Sequence, residues 1–134
     1  MFTDISFVSD APRQLAILAT PSVIRALIPN ALKGVYMLLR DGVTLYVGRS
    51  DSCVQRRLVR HELLAEASYV AWEPCKSSAH SFLLEAAWFH RLHGSPRLRN
   101  LIHPAKPAGL AIECPFCGER DSQALAEMLR VFGH

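Results

Sequence analysis

The chain has 134 residues, half of them apolar and a fifth charged, the composition of one folded domain with enough material for a real core. Nowhere do the apolar residues run for about 18 positions without a charge or a proline, so no membrane span is expected. Four scattered cysteines are too few for a secreted disulfide framework, and the net charge of +3 is a lean that by itself names no partner. The opening MFTDISFVSDAPRQ carries acids where a signal peptide is basic, so a reduced, cytoplasmic protein is expected.

In chain order, Ser9-Asp10 followed by Pro12 is a cap-plus-proline helix start. Pro21 interrupts the apolar run, which predicts two short helices, about 11–19 and 22–28, the second closed by Pro29-Asn30. Residues 33–48 are rich in Val, Leu and Tyr on both sides of Asp41-Gly42, a favoured turn pair, and predict a β-hairpin. Ser52 and Gln55 have the spacing of a capping box, opening a helix over about 53–67.

SYVAWEPC reads as a third strand ended by Pro74, and a long helix over 79–93 starts after Ser77-Ser78 and stops at Gly94. Residues 94–109 are punctuated by proline. Beyond them Ala111-Ile112 reads as a short strand, CPFCG as a tight turn and Ser122–Phe132 as a closing helix. The expected architecture is α/β of the α+β kind. A small three-stranded antiparallel or mixed sheet is flanked by helices, with extra helices at both ends. The chain is read as a single domain with a core over about 33–104, a helical extension over 1–32 and a C-terminal extension over 108–134.

Four arginines, Arg49, Arg56, Arg57 and Arg60, crowd twelve residues that contain one acid, Asp51. Arg57 and His61 are four apart and share one helix face, with Arg56 and Arg60 on its rim. Such a face is ordinarily a solvated basic surface, and it is also one that meets an anion readily. On the later helix Phe82, Glu85, Phe89 and Leu92 form one stripe. A carboxylate inside an apolar stripe must be paired, protonated or bound to a cation. Two readings stand: a glutamate at the core edge that meets an arginine, or a ligand for one hard cation.

In the hairpin, GVY is answered by YVG, with ten residues from Tyr36 to Tyr46. A plain two-residue turn puts the two rings on opposite sheet faces. A three-residue loop or a bulge puts them diagonally on the same face.

Taken together these residues resemble the GIY-YIG endonuclease family. GVY and YVG match its two tripeptides, Arg57 in RRLVRH its helix arginine, and His61 the histidine found one turn later in the homing branch. Glu85 in FLLEAAW matches its glutamate and Asn100 in SPRLRN its asparagine. The resemblance spans about residues 33–104. It implies a stand-alone domain that hydrolyses phosphodiester bonds in DNA. Glu85 would hold one Mg²⁺ or Mn²⁺, Arg57 would grip the phosphoryl oxygens, and Tyr36 or Tyr46 would orient or deprotonate the attacking water. His61 would assist that proton transfer. Because a free phenol is a poor base near pKa ~10, neighbouring cations are expected to depress it. Gly34 and Gly48 would keep the strand surface open, and Asn100 would brace nearby loops and help hold substrate.

One departure is Arg49, at a position where the repair branch often has lysine. Arginine contacts phosphate but donates no proton to water, so Arg49 and Arg60 are expected as substrate contacts. The non-catalytic alternative is a nucleic-acid-binding module of the same fold.

The C-terminal CPFCG is a separate signal. Cys114 and Cys117 have the spacing of one zinc knuckle, but a structural Zn²⁺ needs four ligands. Completion from Cys53, Cys75, His103, His134 or a partner chain is one reading. A redox pair and a plain turn with reduced thiols are the others, and an interaction protein built around this end is the third functional class.

Overall fold

The computed structural model describes residues 5–7 and 15–117. Its elements in order are β1 (Ile5–Phe7), β2 (Leu15–Leu18), α1 (Pro21–Leu27), β3 (Gly34–Arg40), β4 (Val43–Ser50), α2 (Val54–Val59), β5 (Tyr69–Pro74) and α3 (Ser78–Leu92). A single 3₁₀ turn at Leu64–Glu66 lies between α2 and β5. This is an α+β fold in which five strands pair in the order β1-β2-β5-β3-β4, antiparallel at every neighbour.

The expected trio of strands is therefore present as β3, β4 and β5, and the sheet is wider than expected. The segment read as a helix over 11–19 supplies β2 at residues 15–18, while residues 11–14 lie outside the described residues. The reason is two-sided burial. Ala16 packs into the cluster on one face and Ile17 into the cluster on the other. A strand buried on both sides is a continuous apolar run, which periodicity cannot separate from a buried helix. The N-terminal extension is thus strand and helix, not helix alone. Its second predicted helix stands as α1, with Thr20 Oγ1 accepting from Val23 N and Pro21 at the first turn.

β3 is the central strand and alternates cleanly between two cores. Val35, Met37 and Leu39 face α3, meeting Leu84 and Trp88 together with Val47 and Ala71. Tyr36 and Leu38 face α1 and α2, meeting Ile24, Ile28, Val54, Leu58 and Val70. Each face thus removes a full set of large apolar side chains from water, about 1.5–3 kcal/mol for each one fully buried. α3 is buried along Ser81–Trp88, and its contact with the sheet runs through Leu84, Trp88 and Leu92.

The α2 region departs from expectation at both ends. Its N-cap is Cys53, whose thiol accepts from Arg56 N, and Gln55 Nε2 donates instead to Ile28 O at 2.8 Å. The Ser52–Gln55 capping box therefore does not form; Gln55 is used to tie α2 to the end of α1. The helix stops at Val59 and not near 67, so His61 sits on the turn that follows it. Ala111-Ile112 forms no strand, and residues 94–117 run as an irregular strap past α3. CPFCG is a turn through Cys117, and the predicted closing helix over 122–132 lies outside the described residues.

Candidate active site

The hairpin settles how two tyrosines ten residues apart share a face. Asp41 and Gly42 have φ of 53° and 76°, the left-handed pair of a two-residue turn. Tyr36 nevertheless pairs with Gly48 and Leu38 with Tyr46, because the register shifts between Leu38 and Leu39, where Thr44 is the next partner. Leu45 is the extra residue. This bulge restores the phase, and the rings lie 6.4 Å apart at an interplanar angle of 23°.

Gly48 is what lets Tyr36 lie down across β4. A Cβ on Gly48 would come 2.5 Å from both Cζ and Oη of Tyr36, closer than any side chain tolerates. Gly34 answers a different need, since a Cβ there would collide with the carbonyl of Glu73 on β5. So Gly48 seats a ring and Gly34 admits a neighbouring strand. Neither leaves an open surface.

Around this seat the expected residues gather from separate parts of the chain. One cleft of 360 Å³ is lined by Tyr36, Tyr46, Gly48, Arg49, Arg57, Glu85 and Asn100, with Ile102, His103 and Pro104 forming its far wall. An adjoining groove of 530 Å³ runs along α2 past Arg56, Arg57, Arg60 and His61, and shares Tyr46 and Arg57 with the first. Arg60 thus lies in the groove but not in the cleft. Only Glu62 offsets the positive charge of the groove among its lining residues, so an anionic polymer would be held there mainly by charge.

Glu85 is buried on α3 at 8% exposure and bonds Arg49 Nη1 through Oε1 at 2.6 Å. The reading of a core-edge carboxylate that meets an arginine is what forms here, and the same carboxylate also opens onto the cleft. Burial pushes its carboxyl up to about 7, with Arg49 pulling the other way and Asp51 adding to the rise. Arg49 Nε also reaches both oxygens of Asp51 at 3.3 Å, and Asp51 in turn accepts from Ser81 Oγ at 2.8 Å. The expected substrate contact at Arg49 is accordingly occupied by acids of the protein itself. Its guanidinium also lies 5.5 Å from the centre of the Phe82 ring.

Burial raises the phenol of Tyr36 far above its ordinary value; Tyr46 adds to this, and Arg57 opposes both. Burial raises Tyr46 as well, Glu85 reinforces it and Arg57 again opposes. The expected depression of a phenol by neighbouring cations is therefore not what the protein groups produce. A single arginine is outweighed by desolvation and by Glu85, and both hydroxyls stay protonated. Tyr36 is fully buried, whereas Tyr46 is half-buried and borders both the cleft and the groove.

The His61 ring stands edge-on to Tyr46 at 4.7 Å and to Tyr36 at 5.7 Å. Its Nδ1 accepts the backbone N–H of Leu63 at 3.1 Å, which fixes the proton of the neutral ring on Nε2. Burial, with Arg57 beside it, lowers its pKa. His61 thus carries its proton on Nε2 and packs edge-on against both tyrosine rings.

Asn100 is tied to the outer edge of β4 and completes the sheet edge there. Its Oδ1 accepts from Val47 N at 3.0 Å and its Nδ2 donates to Val47 O at 2.8 Å. The side-chain amide stands in for one residue of a sixth strand. Arg99 N adds a bond to Leu45 O at 2.6 Å.

A second constellation lies behind the far wall of the cleft. His90 of α3, His103 of the strap and Cys114 and Cys117 of the CPFCG turn bring their ligand atoms within 4.8 Å of one another, a set that can bind a metal. Cys114 and Cys117 were the visible half in the sequence, and His103 was one of the residues expected to complete them. His90 was not anticipated, and Cys53 and Cys75 are buried elsewhere. The missed signal was His90 five residues after Glu85 on a helix already assigned.

No helix among the described residues is long and apolar enough to cross a membrane. No protein-family model matches the chain, and neither curated proteins nor solved structures give a match.

Proposed function

We propose that the chain is a metal-dependent DNA endonuclease of the GIY-YIG kind, hydrolysing phosphodiester bonds in DNA. The observation that carries this reading is convergence: Tyr36, Tyr46, Arg57 and Glu85, from two strands and two helices, line one cleft at the head of a basic groove. Packing alone gives no reason to spend a bulge at Leu45 and a bare Cα at Gly48 on bringing two tyrosines together there.

The donors fit one hard cation. Arg49 takes Oε1 of Glu85, so Oε2 is the oxygen left to ligate Mg²⁺ or Mn²⁺, and such ions complete their shell with water. Bound there, the ion supplies Lewis-acid stabilisation of the phosphate and of the departing 3′-oxygen. Arg57, exposed between groove and cleft, binds the phosphoryl oxygens and offsets the charge that grows on them. Tyr46 accepts a hydrogen bond from the attacking water, and Tyr36, seated on Gly48, fixes the ring that does so. His61, which lines the groove beside Tyr46, donates its Nε2–H to a phosphate oxygen, and the proton of the water leaves to a non-bridging phosphate oxygen because both phenols keep theirs. The groove along Arg56 and Arg60 holds the backbone without reading bases, giving salt-sensitive binding.

One observation favours a second reading. Arg49 is already a cation on Glu85, as it would be in a nucleic-acid-binding module that keeps the fold without cleavage. The two part on metal. Purified chain incubated with Mg²⁺ or Mn²⁺ and supercoiled, branched or single-stranded DNA should nick at least one substrate, and Glu85→Ala should abolish the nicking. Intact DNA of all three kinds, with binding unchanged in EDTA, would leave the binding module. The His90, His103, Cys114 and Cys117 set has the donor chemistry of zinc, not of magnesium.

A further inference from the structure

We infer that His90, His103, Cys114 and Cys117 hold a structural Zn²⁺, and that this ion clasps the strap that walls the cleft. This assignment does not rest on the nuclease reading.

The geometry is the first argument. With Zn–N near 2.05 Å and Zn–S near 2.3 Å, a tetrahedral site has ligand separations of about 3.4 Å between nitrogens and about 3.6 Å between nitrogen and sulfur. Here His90 Nε2 lies 3.1 Å from His103 Nε2, 3.5 Å from Cys114 Sγ and 3.6 Å from Cys117 Sγ. Cys117 Sγ lies 3.2 Å from His103 Nε2. A hydrogen-bond scheme does not account for this arrangement. Three neighbours converge on one nitrogen that has at most one proton to give.

The surroundings are the second argument. His103 Nδ1 lies 2.8 Å from the carbonyl oxygen of Pro104, which only accepts, so the proton sits on Nδ1 and the Nε2 lone pair faces the cluster. Outer partners of this type set the tautomer of metal-bound histidines. The backbone N–H of Phe116 donates to Cys114 Sγ at 3.4 Å, support suited to a thiolate. Binding would release the two thiol protons and leave two thiolates and two neutral imidazoles around the ion.

The role follows from where the four ligands sit. His90 belongs to α3, His103 to the strap beside the cleft, and the cysteines to the turn whose Phe116 is buried against Ala86 and Ala87. Between Leu92 and Cys117 the chain has no regular secondary structure, and its anchors to the sheet side are isolated ones, such as the Asn100 amide pair to β4 and Arg99 to Glu66 at 2.8 Å. One ion ties the strap to α3 through His90. Ile102, His103 and Pro104 are thereby held as a wall.

The test uses the full chain reconstituted with Zn²⁺ and freed of excess metal. It should carry about one equivalent of zinc, and with Co²⁺ it should give the intense visible bands of a tetrahedral thiolate site. Cys114→Ser/Cys117→Ser should lose both signals, while Cys75→Ala should keep them. Hydrogen exchange of peptides covering 98–117 should then be on the order of tenfold faster in the double variant, with β3–β5 unchanged. Should the double variant fail to fold, Cys117→Ser, at an exposed position, serves for the same comparison. Less than half an equivalent of zinc in the native chain, or a Co²⁺ spectrum without thiolate bands, would overturn the site. Metal loss with unchanged exchange in 98–117 would overturn the clasp.

Discussion

Glu85→Gln separates the cost of the buried carboxylate from its use. The folded chain holds this carboxyl at about 7, against an ordinary value of 4.5, chiefly because it is buried. The folded protein therefore binds the proton more tightly than the unfolded chain does. Stability from this group is complete below pH 4.5 and is lost as pH rises to about 7, by on the order of 3 kcal/mol. Glutamine keeps an acceptor for Arg49 Nη1, a bond worth about 1 kcal/mol, and carries no charge to desolvate.

We predict that urea unfolding from pH 4.5 to 8 will show the native chain losing stability relative to the glutamine variant across that window. Titrating Mg²⁺ or Mn²⁺ at pH 8 should restore part of the loss in the native chain alone, about 2.7 kcal/mol at a hundredfold excess over Kd. Curves that stay parallel from pH 4.5 to 8 would refute the claim that desolvation dominates at Glu85. A metal response equal in both proteins would refute Glu85 as the ligand.

Gly48→Ala should force Tyr36 off its seat, costing about 1–3 kcal/mol in urea unfolding and, under the proposed function, abolishing DNA cleavage; a variant as stable as the parent would contradict the close approach. Asn100→Ala removes both bonds to Val47 and leaves a strand N–H unpaired, so a loss of about 1–3 kcal/mol is expected, together with faster hydrogen exchange at Val47. Asn100→Asp should fare little better at neutral pH, because it keeps the acceptor and loses the donor.

The hairpin, β5 and α3 were legible because each follows a local rule. Asp41-Gly42 dictates a turn, runs rich in Val, Leu and Tyr dictate strands, and Ser77 caps α3 at the start that Ser77-Ser78 marks. The residues of the cleft were legible from spacing and resemblance, and all but His61 and Arg60 line it. What stayed hidden depended on distant partners. β2 is strand because β5 offers it an edge and both faces of the sheet cover it. Gln55 abandons its own helix for Ile28 O, which no window around Ser52 contains. The ionisation of the tyrosines was misjudged for the same reason: the arginines were visible, but the depth of burial and the reach of Glu85 were not. His90 was invisible as a ligand because its partners arrive from residues 103–117.

Asn100 and Arg99 have one more effect, on how copies of this chain meet. β4 is one of the two outer strands of the sheet, eight residues long, and an outer strand with vacant backbone groups is a template on which another molecule can add. The amide of Asn100 and the N–H of Arg99 occupy those groups at Val47 and Leu45, near the middle of the strand. The next two residues, Leu101 and Ile102, are 96% and 78% exposed, so a strap that peeled away would bare a strand edge beside loose aliphatic side chains. The same asparagine that supports the cleft thus serves as a guard for solubility, and its loss would be seen as aggregation.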